Sequence, residues 1–89
     1  MTAPMRLLFV EDVPTEVALA VRQFTRHNLP CEWRRVETEP DLRAQISEFK
    51  PHVVLSDFSM PLLDGWAALA CVRSIDPDLP YLYVSGTIG

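Results

Sequence analysis

Three acidic residues are the strongest candidates for chemistry in this chain. Glu11 and Asp12 are adjacent, and Asp57 closes the run Val53-Val54-Leu55-Ser56. Neighbouring carboxylates repel each other, and an ordinary surface loop gains nothing from the pairing. A bound cation would relieve the repulsion. Asp57 sits where a short apolar strand would leave its sheet, at the end where open α/β sheets collect their chemistry. Its competing role is the modest one of a loop carboxylate capping the next helix. Other reactive side chains give weaker signals. Cys31 and Cys71 are far apart in sequence and match no metal-ligand spacing. His27 and His52 fall at element ends away from the acids and read as surface or packing residues. Arg34-Arg35 reads as a solvated sheet edge that discourages unwanted strand pairing.

Composition narrows the field. With 89 residues and 48% apolar content, the chain makes at most one small domain. No segment approaches the roughly 20 apolar residues that cross a bilayer. The N-terminus lacks the basic region and long apolar stretch of a secretion signal. Two cysteines without such a signal fit a reducing, cytoplasmic setting. A formal charge of −4, with no basic cluster beyond Arg34-Arg35, argues against direct binding of nucleic acid. No internal repeat or low-complexity tract is present.

The acids need elements to hold them, and the sequence supplies a regular alternation. Arg6–Val10 predicts a first strand ending at Glu11-Asp12. Pro14 suits a helical first turn, and Val17, Ala20, Val21 and Phe24 share one helical face. Asn28 is a plausible cap, and Pro30 forbids continuation. Cys31–Val36 predicts a polar edge strand. Thr38-Glu39-Pro40-Asp41 has the form of a capping box, followed by Leu42, Ile46 and Phe49 at helical spacing. Pro51 ends that helix. The apolar run Val53-Val54-Leu55 predicts the third strand, with Asp57 at its end and Met60-Pro61 and Asp64-Gly65 punctuating the loop after it. A third helix is expected from about Trp66 to Ile75, with Trp66, Leu69, Ala70 and Val72 available for burial. Tyr81–Val84 forms a fourth strand ending at Ser85. The order βαβαβαβ predicts a parallel sheet with helices on both faces. Glu11-Asp12, Asp57 and Ser85 then converge on one edge of the sheet.

Taken together, Glu11-Asp12, Asp57, Met60-Pro61, Asp64-Gly65 and Ser85-Gly86 resemble the signature of response regulator receiver domains. The resemblance covers essentially the whole chain. It implies a three-layer, flavodoxin-like α/β fold with strand order 2-1-3-4-5, without the family's fourth helix, fifth strand and fifth helix. Residues 1–89 would be the N-terminal portion of a single receiver domain, with an output module beyond residue 89. The resemblance further implies bacterial-type two-component signalling: a phosphorelay in which Asp57 takes a phosphoryl group from a histidine kinase or phosphotransfer protein, giving an aspartyl phosphate. Mg²⁺, or Mn²⁺ in its place, would be held by Asp12, Asp57 and the backbone carbonyl of Ser59, with Glu11 holding one of its waters. The Ser85 hydroxyl would bond a phosphoryl oxygen and draw its loop inward. Such a chain is a signalling domain and not an enzyme.

The family also uses a lysine at the end of strand five, and Lys50 cannot replace it. Lys50 precedes Asp57 by seven residues, which along an extended strand is about 20 Å towards the opposite sheet end. Two other classes compete. A receiver-like module could dock a partner without phosphorylation. A haloacid-dehalogenase-type enzyme also uses an aspartate after a strand, but it wants a second acid where Ser59 stands. Nucleotide-binding folds want a glycine-rich loop where Glu11-Asp12-Val13-Pro14 stands. A final expectation concerns association: strand four would be an exposed edge beside Leu82 and Val84, favouring a homodimer.

Overall fold

A computed structural model describes residues 3–57 and 63–84. Its elements run β1 (Met5–Val10), α1 (Pro14–Arg26), β2 (Cys31–Val36), α2 (Glu39–Phe49), β3 (Val53–Asp57), α3 (Gly65–Ile75) and β4 (Tyr81–Val84). The four strands form one sheet in the order β2-β1-β3-β4, and every pairing is parallel.

Side-chain alternation along the strands feeds two separate cores. From β1, Leu8 and Val10 point towards α2 and α3, where they join Leu42, Ile46, Val54, Ala68 and Val72. Leu7 and Phe9 point the other way and meet Val17 of α1 and Leu55 of β3. Because β1 and β3 are covered on both faces, they read as continuous apolar runs. β2 is half-polar, as an edge strand should be. Arg34 lies 5.0 Å over the Phe49 ring on one face, and Trp33 meets Phe9 edge-on at 6.3 Å on the other.

Local signals set the boundaries. Asn28 adopts a left-handed φ of 56° just past α1, and Lys50 does the same at φ 53° before Pro51. Thr38 caps α2 by accepting the Asp41 amide at 3.4 Å. The third helix departs from expectation. It begins at Gly65, and its buried residues are Gly65, Ala68, Cys71 and Val72. Trp66 is 67% exposed and Ala70 is also exposed, so neither joins the core. At about 100° per residue, positions 66 and 70 turn away from the face that 68 and 72 present to the sheet. Leu69 is half-buried. Among the described residues, no helix is long and apolar enough to cross a membrane.

Candidate functional site

The register between β1 and β3 pairs Val10 with Ser56, so Glu11 and Asp57 come level one residue further on. Both strands end there. One carboxylate oxygen from each of Glu11, Asp12 and Asp57 lies within 4.8 Å of the others. The three acids singled out in the sequence therefore meet at one sheet edge. Capping does not account for Asp57, because α3 is capped by Asp64, whose Oδ1 accepts the Ala67 amide at 2.7 Å.

Glu11 is the buried member, only 4% exposed. Its Oε1 accepts the Val13 amide at 3.1 Å, which favours the ionised form. Burial wins against that bond, helped by the neighbouring Asp12 and Asp57, and pushes the Glu11 carboxyl up to about 7. The donor set is all hard oxygen, which suits Mg²⁺ or a similar cation. With Mg–O distances of about 2.1 Å, opposite ligands of an octahedral ion are about 4.2 Å apart. A cluster of this width accommodates one such ion with some carboxylates direct and another reached through water. The residues present thus fit the cation.

Ser59, Met60 and Pro61 lie outside the described residues, as do Ser85 and Gly86. Lys50 is at the far end of the sheet, where its carbonyl accepts Arg6 Nε at 2.7 Å. His52 is there too, and its Nδ1 accepts the Arg6 amide at 2.8 Å, a structural role.

One residue beside the site was missed by the sequence reading. Arg35 is half-buried rather than a freely solvated edge charge. Its Nη1 donates to the Glu11 carbonyl at 3.2 Å and also pairs with Glu37. Nothing local in the sequence marks this role, which follows from the register that sets Arg35 level with Phe9.

No protein-family model and no curated protein sequence matches the chain. Solved structures do match. A response regulator from Hahella chejuensis superposes with TM-score 0.78 at 24% identity, over 91% of this chain and 63% of that one. The N-terminal domain of a response regulator receiver protein from Methanoculleus marisnigri gives TM-score 0.73 at 25% identity, over 91% and 66%. The receiver domain of a sensor histidine kinase from Pseudomonas aeruginosa gives 0.74 at 19% identity, again over 91% and 66%. That domain carries a magnesium ion coordinated in its active-site cleft. The chain spans slightly less than two thirds of the length of these structures.

Proposed function

We propose that this chain, which has the receiver fold as far as its fourth strand, is the phosphoacceptor portion of a cytoplasmic two-component signalling domain. Residues 1–89 form the N-terminal portion of a single receiver domain. The observation that carries the proposal is the meeting of Glu11, Asp12 and Asp57 at the carboxyl end of β1 and β3. Asp57 ends the central strand β3 and is half-buried, so it is held by the sheet while keeping access to solvent.

A Mg²⁺ ion, or Mn²⁺, supplies charge screening at this edge when bound. Asp12 and Asp57, with the Ser59 carbonyl, would hold it, and Glu11 would hold one of its waters. An Asp57 carboxylate oxygen then bonds to the phosphorus of a phosphohistidine on a histidine kinase or phosphotransfer protein. The P–N bond breaks, its electron pair leaves with the imidazole nitrogen, and Asp57 becomes an acyl phosphate. The Ser85 hydroxyl would donate a hydrogen bond to a phosphoryl oxygen. The chain is an acceptor in this step and not a turnover enzyme.

Self-association accompanies this role. Among the described residues β4 has a strand neighbour on one side only, and Leu82 and Val84 are 55% and 40% exposed. Beside them a cleft of about 450 Å³ opens between α1 and the sheet; Phe9, Val17, Leu55 and Val84 give it a largely apolar wall, to which Glu11, Glu16 and Gln23 add polar groups. Two copies pairing through β4 about a two-fold axis would satisfy the strand edge and cover this apolar face.

Incubation with acetyl phosphate and Mg²⁺, followed by intact-mass analysis, tests the central step. Partial addition of one phosphoryl group is expected in the native chain and none in Asp57→Ala. Equal addition in both would place the acceptor elsewhere. Light scattering on a gel-filtration column tests the dimer, and a stable monomer at micromolar concentration would exclude it.

A further inference from the structure

We propose that Arg35 is a positioning residue for the cation site: anchored on Glu37, its guanidinium grips the Glu11 carbonyl and fixes the peptide that carries Asp12. This rests on the reading of Glu11, Asp12 and Asp57 as a divalent-cation site.

The two neighbouring arginines of β2 point to opposite faces and do different work. Arg34 faces α2, stacking over Phe49 and donating to Gln45 Oε1 at 3.4 Å. Arg35 shares the face of Phe9 and reaches across the end of β1. The Glu11 main chain is consequently held twice by β2. Its amide donates to the Val36 carbonyl at 3.1 Å, and its carbonyl accepts from Arg35 Nη1 at 3.2 Å. In a continuing parallel ladder that carbonyl would accept an amide further along β2. β2 ends at Val36, however, and the chain leaves the sheet for α2, whose N-cap is Thr38. A side chain takes over where the ladder stops.

The consequence for Asp12 is geometric. The Glu11 carbonyl and the Asp12 amide belong to one planar peptide unit. Fixing the carbonyl direction therefore fixes the position of the Asp12 amide and Cα, the point from which its side chain departs. Mg²⁺ tolerates little departure from octahedral geometry, so ligand placement counts. Glu37 gives the arrangement its second support. It holds the guanidinium in place, and its charge offsets a cation that would otherwise repel a metal ion nearby.

Charge and positioning predict opposite results, which makes the proposal easy to break. If Arg35 acted only through its charge, Arg35→Gln would leave Glu37 unbalanced and tighten binding of a divalent cation. As a positioning residue, its loss weakens binding. Outer-shell partners of metal ligands typically contribute about tenfold or more to affinity, and about tenfold is expected here. Both acceptors are served by the one Nη1. Arg35→Lys keeps the charge, but its shorter reach and freely rotating, strongly hydrated ammonium grip the pair less rigidly, so it should also bind several-fold more weakly.

The experiment is a Mg²⁺ titration of the native chain, Asp12→Asn, Arg35→Gln and Arg35→Lys. The Asp12 amide shift is followed by NMR, and thermal unfolding in EDTA serves as the control for folding. Saturable binding that Asp12→Asn abolishes establishes the site. Absence of such binding in the native chain would remove the site and the clamp together. With the site established, weaker binding by both Arg35 variants at unchanged unfolding temperature, with a displaced metal-free Asp12 amide, is the expected result. Native or tighter affinity in Arg35→Lys overturns the proposal, and it does so even if Arg35→Gln fails to fold.

Discussion

The two ends of the central strands solve opposite problems. At the amino end, polar groups answer one another. The Arg6 amide donates to His52 Nδ1, the His52 amide donates to the Arg6 carbonyl, and Arg6 Nε donates to the Lys50 carbonyl. At the carboxyl end the same two strands bring Glu11 and Asp57 level and add Asp12, three like-charged groups in one cluster. The first end is knitted together by hydrogen bonds, whereas at the second Asp12 and Asp57 both disfavour the ionised form of Glu11. Sites that spend stability in this way are where proteins place function.

The largest effect that should expose this contrast is the response to pH. The Glu11 carboxyl is raised from 4.5 to about 7, chiefly by burial. Between those values the folded chain keeps a proton that the unfolded chain has released. Stability from this group is therefore full below about 4.5 and lost as pH rises towards about 7. A shift of this size corresponds to at most a few kcal/mol. Urea unfolding in EDTA across that range should show a declining contribution in the native chain that Glu11→Gln lacks. Identical pH profiles for the two would show that Glu11 is not strained.

Next in size is the effect of the cation itself. Mg²⁺ at ten times its dissociation constant should stabilise the native chain by about 1.4 kcal/mol, from the binding equilibrium alone. Asp57→Asn and Asp12→Asn should each be more stable than the native chain in EDTA, through lost repulsion, and gain little from Mg²⁺. Thermal unfolding with and without the ion checks both. Stabilisation of the native chain and the two variants by equal amounts would place the cation elsewhere.

Much of this contrast was legible in the sequence, for physical reasons. Acids directly after apolar runs, in a regular βαβ alternation, must fall on one sheet edge, and they do. The core face of α1 followed from its spacing, and Thr38 announced its own cap. On α3 the expected Val72 is buried, but Trp66, though large and apolar, and Ala70 lie at angles that face away from the sheet. Their exposure follows from rotation about the helix, not from hydropathy. Arg35 was hidden for a related reason. In sequence it is half of an arginine pair on a polar edge strand, and only strand alternation sends its guanidinium to Glu11 while Arg34 goes to Phe49. A side chain replacing a ladder bond has no local signature.

The smallest expected effect belongs to the satisfied end. His52→Ala removes the acceptor of the Arg6 amide but leaves the His52-to-Arg6 backbone bond, because an alanine amide donates equally well. The site is exposed, so water can take over the lost acceptor, and only the net value of one hydrogen bond is at stake. That puts the cost at about 1 kcal/mol, well below what burial of an unpartnered amide would demand. The substituted residue lies at the opposite end of β3 from Asp57, so Mg²⁺ affinity should be unchanged within twofold. Chemical denaturation measures the first quantity and Mg²⁺ titration the second. Loss of affinity together with stability would mean that the two ends are coupled through β1 and β3, and that the satisfied end helps hold the acids in place.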